Sequence, residues 1–529
     1  MKAYKSAAIR AGKMVQLGSN PNPNMFKISS IKSGVIDSND GTINQQESIS
    51  LKYHDYIDCN PGDSIYINYF GSLIYGTRES FSVFFYSENK TFISSLTHTD
   101  DLSAYIAPAN AKYFMFRTDL IYWGSAPQYE YAINVYNLKV YINKEIPSDT
   151  LTNTQITSRY SNVFFVNDYY NESLTDSEVV DLALADANLL TTRTIVFGDR
   201  NWLVSKAVLL KSGTTVLINN CRIKQANLTF DNIFRGDNLV INESDPYGFP
   251  TSINDLSNIK IHGYGNAILN GNDVNKQAFH PFKEITEDMV GDNWGLRTLM
   301  ISFSKATNIE IRNIGMAQTK CYAMSFDRCQ NISINKITQY TNVKNGDGID
   351  IRFGCKNVVI KDIYNNCTDD CIALNANCFD FIPTYPLQEY VYPLEPSFAE
   401  SAQLVDRTVL DIENVNISNI ICRSDSHGLI LLQENNLEIK NISVSKMTIF
   451  DTLYGTTGGI YVYQNGNADK IHAVDISDIT CYEGKTVVIE TKVTDFNLTR
   501  LVNLYPGGVN LYSSNLSFIE DVIITNSTP

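Results

Sequence analysis

One short phrase recurs from residue 257 onward: SNIKIHGYG at 257, TNIEIRNIG at 307, QNISINKIT at 330, KNVVIKDIY at 356, ENVNISNII at 413 and KNISVSKMT at 440. Its asparagines, 258, 308, 331, 357, 414 and 441, stand 50, 23, 26, 57 and 27 residues apart. A period of this size means that one supersecondary unit is repeated and stacked, because a single unit cannot bury its apolar face alone. Within each phrase Ile and Val alternate with Lys, Glu, Ser and Asn, the period-2 pattern of a strand with one face inward. The short steps are single coils of a parallel β-helix. The long ones are either two coils or one coil with an insertion. The asparagines fit turn positions that tolerate left-handed geometry.

The stretch NGDGIDIRFGCKNVVIKDIYNNCTDDCIAL from Asn345 sets one aspartate-bearing turn 22 residues before another, Asp347 before Asp369. Residues one coil apart stack roughly 4.8 Å from each other, so Asp347, Asp369 and Asp370 converge on one patch. Clustered carboxylates raise one another's pKa, which is how carboxyl groups divide into acid and base. Consecutive strand residues face opposite ways, so Asp369 and Asp370 share a site only at a bend, which Asn365-Asn366 makes available. Asp350 reads as a buried or flanking turn carboxylate.

These turns resemble glycoside hydrolase family 28, the polygalacturonase family, whose right-handed parallel β-helix carries N-T-D-G, D-D, G-H-G and R-I-K in order. Here the series reads Asn345-Gly346-Asp347-Gly348, Asp369-Asp370, Ser426-His427-Gly428 and, about one coil later, Gly459-Ile460-Tyr461-Val462-Tyr463. GYGNAILNGN at 263 and Arg297-Thr-Leu-Met-Ile-Ser-Phe303 are similar to earlier family turns and strands, so the resemblance covers roughly 195 to 480. It implies an inverting hydrolase in which Asp369 is the general acid, Asp347 and Asp370 activate water, and His427 sits near the acid and tunes its proton. Tyrosines stand where the family has the Arg and Lys that suit a uronate carboxylate. Arg352 and Arg423 are the nearby substitutes, each as readily a solvated surface residue. The expectation is therefore little activity on polygalacturonate and more on a neutral or amino-sugar glycan, with Tyr461 and Tyr463 as a platform.

His427 follows Asp369 by 58 residues, too far for one plain coil, and the excess forms an insertion over 377–408 rich in proline and aromatics. A rim loop there would offer Tyr385 and Tyr390, along with Phe379 and Tyr392, to saccharide rings; simple packing of a long loop explains them equally.

Upstream, residues 1–44 read as an N-terminal arm and 45–146 as an antiparallel β-sandwich, from the aromatic runs SIYINYF, SFSVFFY, KYFMFRT and YAINVYNLKVYI. Such a module resembles carbohydrate-binding jelly rolls. Tyr113, Tyr122 or Trp123 would then stack on sugar, against the plainer expectation that they fill a core. Residues 147–162 read as a linker. Thr175 with Glu178 forms a capping box before an apolar-periodic run, predicting a helix over 175–190 that covers the first coil of a β-helix spanning 163–529.

The chain carries 42 Lys+Arg against 57 Asp+Glu, net −15, which disfavours nucleic acid and anionic membranes as partners. No apolar run approaches the ~18 residues that span a bilayer, and no secretory signal is visible at the start. The ten cysteines are scattered, as buried thiols would be; Cys367 and Cys371 bracket the paired aspartates without a second zinc-spaced pair. No metal and no cofactor are expected, although the Asn/Asp-rich turns leave room for an incidental calcium. The organisation also resembles a phage tailspike, implying a homotrimer at a virion tail or outside the cell that binds and cuts a bacterial surface glycan. A non-catalytic glycan-binding tailspike or adhesin and a polysaccharide lyase are the rival readings.

Overall fold

The computed structural model describes strands between 31 and 142 and, from Thr150 to Ser527, the chain apart from 242–249, 273–298, 378–406, 451–457, 466–468 and a few single positions. Tyr122, Trp123, Phe379, Tyr385, Tyr390 and Tyr392 lie outside the described residues. The chain divides into two compact units, Met1–Thr150 and Leu151–Pro529.

In the first unit all described strands pair antiparallel. Ile31–Ser33, Lys52–His54, Tyr113–Thr118, Phe81–Tyr86 and Phe92–His98 follow one another in one sheet, and Leu138–Ile142, Ser64–Tyr69 and Tyr105–Ile106 in another. Successive residues Val83, Phe84 and Phe85 are all fully buried, so that strand is covered on both faces and its aromatics are core. Tyr113 is half-buried and edge-on to Tyr56, ring centroids 5.8 Å apart, which is packing. The turns at Asn89-Lys90 and Ala109-Asn110 place Lys90 and Asn110 at positive φ.

The second unit opens with α1 (Asn153–Arg159), inside the stretch read as a linker: Thr152 and Gln155 form a capping box, and Ile156 is buried against Leu217 and Val196. The composition suggested a loop, but the Thr-x-x-Gln signature was already there. Helix α2 (Asp176–Ala187) starts at the Thr175–Glu178 capping box. Its Val179, Val180, Ala183 and Leu184 join the same core as Ile195, Phe197 and Trp202, closing the first coils with apolar surface.

Beyond α2 the chain is a parallel β-helix. Its central coils comprise β1 (Leu256–Tyr264), β2 (Ala306–Ala317), β3 (Met324–Asp327), β4 (Gln330–Tyr340), β5 (Ile349–Arg352), β6 (Lys356–Cys367), β7 (Ile372–Ala376), β8 (Ile412–Ser424), β9 (Leu429–Glu434), β10 (Ile439–Phe450) and β11 (Ile460–Asn465). The long strands β1, β2, β4, β6, β8 and β10 are successive neighbours in one parallel sheet, and the short strands β3, β5, β7, β9 and β11 in a second. Because β1 pairs with β2 and β6 with β8 directly, the 50- and 57-residue steps are single coils with insertions.

The register lines up Ile261, Ile311, Ile334, Ile360, Ile417 and Val444 in one column, all fully buried. Each such side chain contributes about 1.5–3 kcal/mol of burial. The six repeat asparagines all have φ between 57° and 61° or at 56°. From Asn308 to Asn441, each Nδ2 donates to the Oδ1 of the preceding coil's asparagine at 3.0–3.1 Å. The nine described cysteines are free, buried thiols.

Candidate active site

Each coil turns a corner from a long strand to the next short one, and three consecutive corners carry the acidic and histidine residues. Gly348 N–H donates to Asp370 O at 2.9 Å and Cys371 N–H to His427 O at 2.9 Å. Together with the Ile349↔Ile372 and Ala373↔Ile430 pairings, these bonds stack Asp347, Asp370 and His427 in one column. The chain bends at 368–369, so Asp369 joins Asp370 on the same side.

Two glycines make the first corner. A Cβ on Gly346 would lie 2.5 Å from Thr368 Oγ1, and one on Gly348 2.4 Å from Cys371 O; only hydrogen fits between these coils. The corners are braced from within by buried amides. Gln339 Nε2 donates to Gly348 O at 3.1 Å and Asn365 Nδ2 to Cys371 O at 2.8 Å, while Thr341 donates to Gly346 O. Sequence reasoning took Asn365 with Asn366 as the bend before the aspartates and did not single out Gln339; both asparagines lie within strand β6, and the bend comes at 368–369. The signal was present: Gln339 and Asn365 sit two residues beyond the inward Ile337 and Ile363, positions where the alternation calls for an apolar side chain.

His427 is buried beside Asp370, its Nδ1 at 2.6 Å from Asp370 Oδ1 and its backbone N–H donating to the same oxygen at 3.2 Å. Its direct partner is thus Asp370, whereas Asp369 feels it through the field. Among the described residues its Nε2 is buried with no hydrogen-bond partner. Burial above all, then the charge of Asp370, pushes Asp369 up to about 6, against the lowering pull of the Ser426 hydroxyl and His427. Burial, then Asp369, Asp350 and Asp370, holds Asp347 well above the usual carboxylate range. Asp350 is buried on β5, a strand position rather than a turn.

The outer face of the short-strand sheet carries the tyrosines. The Tyr461 ring lies on that of His427 with centroids 4.7 Å apart, and Tyr463 follows at 5.9 Å from Tyr461, both pairs within 14° of parallel. Arg352 lies in register with Asn375, Leu432 and Tyr463 on this face. Arg423 is on the long-strand sheet between Asn366 and Phe450. Neither arginine is the solvated residue expected from sequence: they are 7% and 5% exposed, because parallel neighbours one coil away close over each side chain. The arrangement sets a carboxyl that holds its proton to about pH 6 beside a histidine-paired carboxylate, under an aromatic wall. Among the described residues no group of three His, Cys, Asp or Glu could hold a metal ion.

Residues 211–383 match the model of glycosyl hydrolases family 28. That match bears out the resemblance read from the acidic corners and the expectation of a glycoside hydrolase. The matched segment contains Asp347, Asp369 and Asp370; His427, Tyr461 and Tyr463 lie beyond it. Among solved structures, a polygalacturonase from Erwinia carotovora ssp. carotovora is 15% identical, with a TM-score of 0.47 over 68% of this chain and 90% of its own. An endo-xylogalacturonan hydrolase from Aspergillus tubingensis is 15% identical, TM-score 0.41, over 69% of this chain and 95% of its own. A mutant tailspike protein of E. coli bacteriophage HK620 in complex with a pentasaccharide is 11% identical, TM-score 0.34, over 70% and 66%. No curated protein matches the sequence. No helix among the described residues is long and apolar enough to cross a membrane.

Proposed function

We propose that the protein hydrolyses a polysaccharide with inversion, Asp369 protonating the leaving oxygen and Asp370 taking a proton from water. Asp347, across one coil, shares the cluster's protons. The observation that carries this reading is the pairing of a carboxyl raised to about 6 with a neighbouring carboxylate that already accepts two hydrogen bonds from His427. An acid and a base with separated environments are what the reaction needs. His427 Nε2, buried and without a hydrogen-bond partner among the described residues, is the ring atom left to bond a sugar hydroxyl.

Tyr461 and Tyr463 supply an apolar face and phenols but no charge, which favours a neutral or amino-sugar polymer of a bacterial surface over polygalacturonate. Arg423 favours a second reading. Among the described residues its Nη1 is buried with no hydrogen-bond partner, so an acidic polymer whose carboxylate reached it would relieve a costly desolvated charge. Relative rates on polygalacturonate and on neutral surface polysaccharides decide between the two.

The experiment for the reaction itself is product analysis over a panel of bacterial-surface and plant-wall polysaccharides. New reducing ends without an unsaturated product support hydrolysis; an unsaturated product means a lyase, and binding without any product means a passive receptor. Action outside the cell or at a virion tail follows from such a substrate, and assembly as a homotrimer is tested by sedimentation.

A further inference from the structure

Ser426 stands where the family pattern has glycine, so this chain places a hydroxyl directly beside His427. That hydroxyl lies 3.0 Å from His427 Nδ1 and hydrogen-bonds the Asp369 carboxyl. The proton positions follow from the chemistry of the partners. His427 Nδ1 faces Asp370 Oδ1 at 2.6 Å, and a carboxylate oxygen only accepts, so Nδ1 carries its proton toward Asp370. Ser426 then has no acceptor on the imidazole, and its single O–H is directed to Asp369.

The backbone fixes the same geometry. Ser426 N–H donates to Ser424 Oγ at 2.7 Å, and the Ser424 hydroxyl donates to Asp369 O at 2.6 Å. The corner bearing Ser426 is thereby tied to the corner bearing Asp369 through both main chain and side chain. We infer that Ser426 is a positioning residue, whose hydroxyl orients the Asp369 carboxyl between the two corners. A donor to a carboxylate favours the ionised form, so Ser426 offsets part of the rise that burial and Asp370 impose. A glycine there would leave the acid protonated to higher pH. The consequence for rate rests on the reading of Asp369 as the general acid.

The test uses Ser426→Ala and Ser426→Thr in the full chain, with folding checked by thermal unfolding. The alkaline limb of kcat/KM should move up by about half to one pH unit in Ser426→Ala, the size of one hydrogen bond, and return in Ser426→Thr. Independently of activity, the Asp369 carboxyl is titrated by carbon-13 NMR, its resonance assigned by loss in Asp369→Asn. An Asp369 titration that does not move in folded Ser426→Ala overturns the inference, whatever the rate does. A titration that moves while no polymer is cleaved by any variant upholds Ser426's effect on Asp369 and instead overturns the hydrolase reading.

Discussion

Tyr461 lies face to face with His427, centroids 4.7 Å apart and planes 14° from parallel, so the histidine paired to Asp370 also forms one end of an aromatic stack. Removing the ring takes away a support for the imidazole and, in the proposed reading, a contact for sugar. Tyr461→Ala should therefore lower kcat/KM about tenfold, a loss in the range of one aromatic pair. Tyr461→Phe should stay within about threefold. Steady-state kinetics on the polymer that proves to be cleaved checks both, and an unchanged Tyr461→Ala removes the stack from the site.

Asp369→Asn should abolish cleavage and yet raise the melting temperature near pH 7 by about a degree or two. The sign follows from the raised pKa. A carboxyl whose folded-state value lies at about 6, above the ordinary ~3.9, binds its proton more tightly in the folded protein. Its contribution to stability is lost as pH rises from about 4 through about 6. Wild-type stability should fall across that window, and the asparagine variant should fall less; parallel melting curves from pH 4 to 7 decide it.

In the proposed mechanism the same proton sets the rate. Asp369 must be protonated to act as acid, so kcat/KM should decline above about pH 6, where its carboxyl ionises. A profile flat to pH 8 would assign the acid elsewhere.

Much of this was legible in residue order. The phrase built on Asn331, Asn357 and Asn441 carried the coil period, the inward Ile and Val, and the left-handed turn position. The spacing of Asp347 from the Asp369-Asp370 pair carried their approach, although the register sets Asp347 against Asp370 rather than Asp369. The bracing was less visible: Gln339 and Asn365 fall at inward positions of the alternation, but which groups they hold, Gly348 O and Cys371 O, depends on the fold of the corners. Nor could spacing tell that Arg352 and Arg423 are covered, because burial of an outward residue depends on side chains one coil away, far off in sequence. His427 was placed near the acid by analogy; that its Nδ1 engages Asp370 is a matter of rotamer, which no sequence pattern encodes.

Gly348→Ala should destabilise the fold by about 1–3 kcal/mol, the usual cost of forcing atoms into a packed interior. The added carbon would meet Cys371 O at 2.4 Å and Asn365 Nδ2 at 2.7 Å, and the backbone on both sides is pinned by the interstrand bonds of β5 and β7. Denaturant melts measure the loss, and a variant as stable as wild type would mean the corners can part without cost.

The 50- and 57-residue steps between repeat asparagines are taken up without disturbing the pairing of β1 with β2 or of β6 with β8. Closing a longer loop costs only about 0.6 kcal/mol per doubling of its length. The connections between strands of this solenoid are thus exchangeable parts: a segment can be spliced in, grown or traded while the paired strands keep their register. A lineage built this way can rewrite the segments between coils while the stacked acidic corners are inherited unchanged.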